Sequence, residues 1–208
     1  MKLEKFGDSY DIVKQSLLRW LAPCGTWVAH PMFTEKVDPA DAEAFSKFLG
    51  VPLLSTQVLH ASTDRTAYFS TAISSERHLF LDPNTGLRVA SASASRAPDF
   101  VYGTELVTIA RSWPERLTLV FDQSIDRRYA PREQIEAKLA WLAEQVVYAA
   151  TYESHASFVL ASASQKVLDE ALALLIKRSQ LPTSRLVCWR GISQNNAMQR
   201  IAIKHGSR

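Results

Sequence analysis

Glycine is scarce in this chain of 208 residues, which has only seven of them. They are too far apart to form a G-x-G-x-x-G or Walker loop, the motifs that hold phosphates with bare backbone amides. The sequence therefore predicts no nucleotide cofactor bound through a glycine-rich loop.

Cysteines in pairs, long apolar runs and a strong net charge are also missing. Cys24 and Cys188 have no second cysteine or histidine at zinc-ligand spacing, which argues against a structural zinc and a disulfide framework. No apolar run reaches the roughly 20 residues of a membrane helix, and the first residues lack the apolar core of a secretory signal. We therefore expect a cytoplasmic protein with no membrane partner. The net charge of +3 permits an anionic partner without requiring one.

Helical and strand patterns alternate along the chain. Short continuous apolar runs at 78–81 and 117–121 are typical of strands buried on both faces. The patterns of 99–113 and 131–149 indicate helices, and 51–75 indicates a strand followed by an irregular region. This alternation predicts one α/β domain over residues 1–208, with three layers: a mostly parallel central sheet, helices on both of its faces, and room for an antiparallel edge strand.

Two of the buried strands run into an aspartate. "LFLDP" contains Asp82 and "LVFDQS" contains Asp122, and parallel strands bring such residues to the sheet edge where α/β proteins bind ligands. We expect neighbouring or next-nearest strands and a common cleft, with at least one pKa raised by the like charge unless a cation is bound. The pair would bind Mg²⁺ or Mn²⁺, or divide acid and base roles. The substrate-binding residues beside it would be Asn84, Thr85, Gln123 and Ser124. The alternative is that each aspartate only caps a turn.

His155, in "YESHASF", is the best candidate for proton transfer because an unperturbed histidine has a pKa near ~6.5. It precedes a strand and reaches the aspartates only if that strand runs antiparallel; otherwise it is a hydrogen-bonded boundary residue. Tyr152 and Ser154 would help to bind the substrate. Lys14 lies on the apolar side of the first helix and either extends to solvent or meets an acidic partner in the site.

Three further side chains complete the candidate site. His30 follows the first strand and is a candidate metal ligand beside Asp82 and Asp122, the alternative being a hydrogen-bonded core histidine. Arg127 and Arg128 offer bidentate forks to phosphate, the alternative being a solvated charge cluster.

The "FLDPNTG" segment resembles the Asp-Pro motif of Rossmann-like nucleic-acid adenine methyltransferases, in which Asp or Asn precedes two prolines and an aromatic residue. "GDSYDIVK" is similar to the opening helix of the ribosomal RNA adenine methyltransferase group. Asn84 and Thr85 replace the second proline and the aromatic residue that would hold a flipped base, and the glycine-rich S-adenosylmethionine loop is absent. The resemblance therefore supports the fold more than the activity.

A second resemblance rests on five short segments. "DIVK", "HPMFT", "LDPNTG", "FDQS" and "SHASF" together resemble an uncharacterised bacterial α/β protein family. No activity is known to us for that family, so this resemblance implies no mechanism.

Three hypotheses for the function follow. The first is a divalent-metal-dependent phosphoester hydrolase or nuclease acting on nucleic acid or a nucleotide, with Asp82 and Asp122 on the metal and His155 or Lys14 assisting. The second is a methyltransferase, or a degenerate relative, with Asp82 beside the target amino group. The third is a non-enzymatic binding module for an anion or a partner protein, with a homodimer allowed.

Overall fold

A computed structural model describes residues 6–89, 94–126 and 128–189. The helices are α1 (Ser9–Leu21), α2 (Pro39–Leu49), α3 (Arg65–Tyr68), α4 (Ser70–Ser74), α5 (Gly103–Ser112), α6 (Pro131–Glu144) and α7 (Gln165–Ser179). The strands are β1 (Trp27–His30), β2 (His78–Leu81), β3 (Gly86–Arg88), β4 (Phe100–Tyr102), β5 (Thr118–Asp122), β6 (Tyr148–Glu153), β7 (Ser157–Ser162) and β8 (Leu186–Cys188). The predicted α/β class is confirmed.

Six strands form one sheet in the order β1-β2-β5-β7-β6-β8. The β1, β2 and β5 strands are parallel neighbours, whereas the β5–β7, β7–β6 and β6–β8 pairs are antiparallel. The sheet is therefore mixed: one half is the parallel sheet that we predicted, and antiparallel pairing extends well beyond one edge strand. The β3 and β4 strands form a separate parallel pair.

The antiparallel half comes from a hairpin whose first strand begins at the end of a segment that we predicted as helical. Helix α6 ends at Glu144 rather than continuing to residue 149, and the chain turns into β6 through Val146, which has a φ of 52°. Residues 154–156 alone connect β6 to β7. A connection that short joins antiparallel strands, because a parallel crossover needs a dozen residues or more.

Two other segments differ from the prediction because short polar contacts start helices inside them. Residues 100–102 form β4, and α5 begins only afterwards, where the Glu105 carboxylate accepts a 2.8 Å hydrogen bond from Tyr102 N. In the 51–75 segment, Asp64 caps α3 by accepting from Thr66 N at 3.0 Å. The strand expected there is reduced to an isolated parallel bridge of Leu53 with the first strand.

Alternate residues of the strands belong to two separate buried clusters. One contains Phe80, Leu119 and Phe121 with side chains of α1, α2 and α7, and the other contains Leu79, Leu81 and Val120 with side chains of α3, α4, α5 and α6. Because side chains alternate along a strand, the clusters occupy opposite faces of the sheet. We name them the α1 cluster and the α6 cluster. Among the described residues, no helix has the length and apolar character needed to cross a membrane.

Candidate functional site

Asp82 and Asp122 lie at the same edge of the sheet, on neighbouring strands. The β2 and β5 strands are parallel and adjacent, with Leu81 paired with Val120, and each aspartate lies at the carboxyl end of its strand. Asp82 N–H donates to His30 O at 3.1 Å, which continues the ladder between β1 and β2. Both aspartates are only 1% exposed. The predicted edge and strand spacing are confirmed.

The two carboxylates nevertheless turn to opposite faces of the sheet. Leu81 and Val120 are paired and belong to the same α6 cluster. Asp82 is one residue beyond Leu81, while Asp122 is two residues beyond Val120. Side chains alternate along a strand, so Asp82 turns to the α1 cluster and Asp122 to the α6 cluster. The expected common cleft is therefore wrong, because a one-residue offset separates the carboxylates.

Lys14 of α1 neutralises Asp82. The Asp8 carboxylate caps α1 by accepting from two backbone amides of its first turn, and the helix then carries Asp11 and Lys14 on one side. Lys14 Nζ lies 2.9 Å from Asp82 Oδ2 and 3.0 Å from Asp11 Oδ1. It also lies 4.5 Å from the centre of the Phe121 ring. All three charged residues are buried, so Lys14 meets acidic partners rather than extending to solvent.

The charges of this cluster do not balance. Within the described residues, Asp11 and Asp82 share one ammonium, so these three groups carry a formal charge of −1 when all are ionised. Asp82 Oδ1 is buried and has no hydrogen-bond partner within the described residues. An unpaired buried polar atom costs roughly 1–3 kcal/mol, and more for a charged group. Asp82 Oδ1 is therefore an acceptor that a donor or a cation would stabilise.

Burial raises the pKa of Asp82, with Lys14 opposing the shift. The raised pKa is as predicted, but its main cause is desolvation rather than the charge of Asp122. For Lys14, burial lowers the pKa, while the charges of Asp82 and Asp11 raise it and give a net upward shift. Lys14 therefore stays protonated at neutral pH, and the cluster keeps its cation.

Asp122 is the opposite case, because its carboxylate is fully hydrogen-bonded. Its Oδ1 accepts from Leu87 N at 3.1 Å, Ser124 N at 2.9 Å and Ser124 Oγ at 2.6 Å. Its Oδ2 accepts from Lys138 Nζ of α6 at 2.6 Å. Both oxygens of Asp122 are hydrogen-bonded within the protein, so its contacts are those of a structural residue that joins β3, β5 and α6.

Gly86 lies directly against this carboxylate. Its φ of +145° belongs to a region that L side chains rarely adopt, and a β-carbon there would lie 2.2 Å from Asp122 Oδ1. The turn after β2 therefore needs glycine for two reasons, its backbone conformation and its closeness to Asp122.

The rest of the turn after β2 is held by hydrogen bonds to two neighbouring segments. Thr85 O accepts from Gln123 N at 2.8 Å, and Thr85 N donates to Asp99 O at 2.7 Å. Asn84 Nδ2 donates to Asp99 Oδ1 at 3.0 Å. These contacts give Asn84, Thr85 and Gln123 a structural role in closing the turn over β5.

His155 reaches the same sheet edge as the aspartates because β7 runs antiparallel to β5, with Asp122 paired with Ser157. Its exposed ring stacks on Tyr10, with 4.4 Å between centroids, and its Nε2 lies 3.4 Å from Ser9 Oγ. Tyr10 in turn packs edge-on against Phe121, the ring beneath Lys14. His155 is therefore on the Asp82 side of the sheet, separated from Lys14 by two aromatic rings.

His30 is fully buried between the rings of Tyr68 and Phe69, with centroid distances of 4.9 and 5.6 Å. It is paired with Leu81 in the sheet and so turns away from the face of Asp82. Neither ring nitrogen has a hydrogen-bond partner within the described residues. Burial lowers its pKa to about 4, so the ring is neutral at pH 7.

The remaining predicted site residues have structural contacts. Arg128 is exposed and paired with Asp126 at 2.6 Å, as expected of the solvated charge cluster that was the alternative, and its contact with phosphate stays a prediction. Tyr152 is 9% exposed and belongs to the α1 cluster, and Ser154 Oγ donates to a backbone oxygen two residues later at 2.8 Å. Arg127 lies outside the described residues.

The predicted metal set does not assemble. Asp82 and Asp122 turn to opposite faces, and His30 turns away from Asp82. Over residues 6–89, 94–126 and 128–189, no three His, Cys, Asp or Glu side chains are grouped so that they could hold a metal ion. The residues named for a divalent cation therefore do not fit one as a set.

Sequence reasoning missed Asp11, Lys138 and Gly86 as members of these clusters. Lys138 is three residues after Ile135 and one before Leu139, on the apolar side of its helix, which is the signal that identified Lys14. Asp11 lies three residues before Lys14, at the spacing of neighbours on a helix. No sequence signal indicated that Gly86 contacts Asp122.

Comparisons with protein-family models, with curated proteins and with solved structures found no match to the chain.

Proposed function

We propose that the protein binds nucleotides or nucleic acid at the Asp82 end of the sheet and recognises a nucleobase amino group there. The observation that carries the proposal is the unpaired, buried Asp82 Oδ1 beside a protonated Lys14. A carboxylate oxygen accepts hydrogen bonds and donates none, so its complement on a ligand is an N–H group. Of the two predicted aspartates, Asp82 is the one with an oxygen that has no hydrogen-bond partner among the described residues.

The position of Asp82 supports the same proposal. It follows the carboxyl end of a parallel strand, where open α/β sheets bind ligands. It is also the residue that the Asp-Pro resemblance places beside a target amino group. S-adenosylmethionine is therefore the first cofactor to test, and its binding would extend the proposal to methyl transfer.

We infer that a ligand reaches Asp82 past His155. Asp82 itself is 1% exposed, so a neighbouring side chain must move to admit a ligand. His155 is exposed, and its 3.4 Å contact with Ser9 Oγ is long. A base that displaced this ring would stack on Tyr10, and stacking of a base on an aromatic side chain contributes ~1–3 kcal/mol. Tyr10 and Phe121, which separate His155 from Lys14, must then turn aside before the amino group of the base reaches Asp82.

The matched test compares ligands that differ only in the amino group. Adenosine and purine riboside would be titrated by calorimetry, and we expect adenosine to bind at least tenfold more tightly, as hydrogen bonds to charged groups contribute ~1.5–3 kcal/mol. The Asp82→Asn variant should lose this difference, because its amide can turn a donor toward the ligand. Asp41→Asn, an exposed substitution in α2, is the control. Equal affinities for the two nucleosides, or no binding of either at millimolar concentration, would refute the proposal.

A metal-dependent phosphoester hydrolase is the second candidate, favoured by the charge of −1 on the Asp11–Lys14–Asp82 cluster. A single Mg²⁺ or Mn²⁺ at Asp82 Oδ1 would offset that charge, and Mg²⁺ is often held by only one or two carboxylates plus substrate phosphates. Titration of Mn²⁺ into the protein, with and without Asp82→Asn, separates this candidate from the first. Hydrolysis of a nucleotide that stops on chelation would establish it.

We also infer that the fold has three layers. The α1 cluster contains side chains of α1, α2 and α7, and the α6 cluster contains side chains of α3, α4, α5 and α6. Helices on both faces of a central sheet would produce this division.

A further inference from the structure

The amino ends of β1 and β2 border a pocket that lies away from the Asp82 site. Its volume is about 410 Å³, within the ~300–1,000 Å³ range of small-molecule pockets. Trp27 is the first residue of β1, and Arg77 directly precedes β2. Asp82, in contrast, follows the carboxyl end of β2, so the two sites lie at opposite edges of the sheet.

The floor of the pocket is apolar. Leu18, Trp27 and Leu49 line it and are each 5% exposed or less, and Val51 and Pro52 continue the same surface. The Trp27 indole N–H donates to Leu21 O at 3.1 Å, which satisfies its polar atom. The indole therefore leaves no unsatisfied N–H in the apolar floor.

Two arginines, Arg19 and Arg77, line the same pocket. Both are exposed, and neither guanidinium has a carboxylate or other hydrogen-bond partner among the residues that the structure describes. Each planar fork can form two parallel hydrogen bonds with a phosphate or carboxylate. The pocket thus combines an apolar floor with two cations that have no counter-ion in the described part of the chain.

Gly25 and Thr26 form one wall of the pocket, and His78 holds the segment that carries them in place. Leu117 N donates to His78 Nδ1 at 3.0 Å, which assigns the proton to Nε2, and Nε2 then donates to Cys24 O at 2.9 Å. A β-carbon on Gly25 would lie 2.9 Å from that same Nε2. The wall is therefore pre-organised, and binding need not order it.

We propose that this pocket binds a small amphipathic anion, with a flat apolar body on Trp27 and a phosphate or carboxylate between Arg19 and Arg77. The two arginines favour a ligand with an anionic group, and the apolar floor favours a ligand whose remaining part is apolar. The site is independent of the nucleobase proposed for Asp82.

The test uses 1-naphthyl phosphate as the probe and 1-naphthol as its neutral counterpart. Binding is followed by nuclear magnetic resonance, with the Trp27 indole N–H as the local reporter. We expect the phosphate to bind at least tenfold more tightly than 1-naphthol and to shift the Trp27 signal. Equal affinities, or a Trp27 signal that does not move at millimolar probe, would overturn the proposal.

Charge-matched variants locate the site. The pair Arg19→Gln and Arg77→Gln should weaken binding at least tenfold, whereas Arg178→Gln with Arg185→Gln, an equal loss of charge on exposed residues, should change it less than twofold. Ala22→Phe adds an aromatic ring at an exposed lining position and should block the pocket with both arginines present. If both double variants weakened binding equally, the loss would come from the change in net charge alone, and the proposed site would be refuted. Asp82→Asn should leave this binding unchanged, so the two proposals fail separately.

Discussion

Asp82 and Asp122 end adjacent parallel strands, yet each is neutralised by a lysine from a different face of the sheet. Lys14 of α1 lies 2.9 Å from Asp82, and Lys138 of α6 lies 2.6 Å from Asp122. One sheet edge thus carries two separate buried ion pairs. Asp122 accepts four hydrogen bonds, whereas Asp82 keeps one oxygen unpaired among the described residues. Substitutions can therefore test the two pairs one at a time.

Lys14→Met should be among the most destabilising substitutions in α1. It removes the only cation bonded to Asp11 and Asp82 within the described residues and leaves two buried carboxylates together. Breaking a buried pair in this way typically costs ~3–5 kcal/mol, and we expect that loss in the free energy of urea unfolding at pH 7.

The control for Lys14 is Lys47→Met. Lys47 pairs with Glu43 at 2.7 Å, but the two side chains are 73% and 66% exposed, so the loss should be far smaller than for Lys14→Met. Equal losses for the two variants would mean that the Asp11–Lys14–Asp82 cluster is not buried as described.

Gly86→Ala should destabilise the protein more than Gly50→Ala, although both glycines have positive φ. At Gly50, φ is +74° and nothing lies within 4 Å of an added β-carbon, so only backbone strain of ~1–2 kcal/mol is expected. At Gly86 the added atom would also meet the Cα of Asp122 at 2.9 Å, and overpacking adds ~1–3 kcal/mol. Thermal unfolding of both variants measures the difference, and equal melting temperatures would contradict it.

Much of the parallel half of the fold could be predicted from the sequence because its signals are local. The apolar runs at 78–81 and 117–121, with helix-forming residues between them, indicate parallel buried strands, and the structure pairs them side by side. The antiparallel half was missed because "VVYA" continues the apolar pattern of α6. The end of that helix depends on tertiary contacts of β6 with β7 and β8, which no local signal reveals.

The candidate site could be located only in part, because it too depends on tertiary contacts that the local sequence does not reveal. Strand-end aspartates and a lysine on an apolar helix face are visible in sequence, and Asp82 and Lys14 do meet. The face that each aspartate takes depends on register, and a shift of one residue reverses it. Asp122 was assigned to the site for this reason, although its carboxylate is held by Lys138.

His30 should make the protein less stable as the pH falls below 6.5. Burial lowers its folded pKa to about 4, while an unfolded histidine has a pKa near ~6.5. Above pH 6.5 the His30 ring is neutral in both the folded and the unfolded protein, so His30 takes nothing from the free energy of unfolding. Below pH 6.5 the unfolded protein binds a proton at His30 before the folded protein does. Stability should fall by up to ~1.4 kcal/mol per pH unit until pH 4, roughly 3 kcal/mol in all.

The His30→Phe variant separates this contribution from that of other groups. Urea unfolding of both proteins between pH 7.5 and 4 should show a shallower slope for the variant, because phenylalanine binds no proton. Parallel curves would show that His30 does not titrate between the two states.

Arg116→Met should also be strongly destabilising. Arg116 is fully buried and donates to the carbonyls of Ala72 at the end of α4 and Ile109 at the end of α5, where helix dipoles favour a cation. Burial lowers its pKa to about 10, so it remains charged. Removing it leaves buried carbonyls unpaired, at roughly 3 kcal/mol in urea unfolding. Arg185→Met, at an exposed position, should lose less than ~0.5 kcal/mol, and a similar loss in both variants would contradict this role.

The last prediction compares Asp82→Asn with Asp122→Asn, two identical substitutions at one sheet edge. Asn at position 82 removes the excess negative charge and leaves Lys14 paired with Asp11. Asp82 Oδ1 has no hydrogen-bond partner among the described residues, so this variant should cost less stability than the same change at position 122. Asn at position 122 offers a single carbonyl oxygen where two oxygens now accept four hydrogen bonds, and it leaves Lys138 without its carboxylate.

For Asp122→Asn we therefore expect a loss of ~3–5 kcal/mol, as for other broken buried pairs. Urea unfolding at pH 7 measures the loss of stability in both variants. Calorimetry with adenosine and purine riboside measures whether each variant still prefers the amino group. The Asp82 variant should keep more of its stability and lose the preference for the amino group, while the Asp122 variant, wherever it is folded, should keep that preference. The reverse pattern, with Asp82 essential for folding and Asp122 for binding, would show that the ligand site is on the α6 face instead.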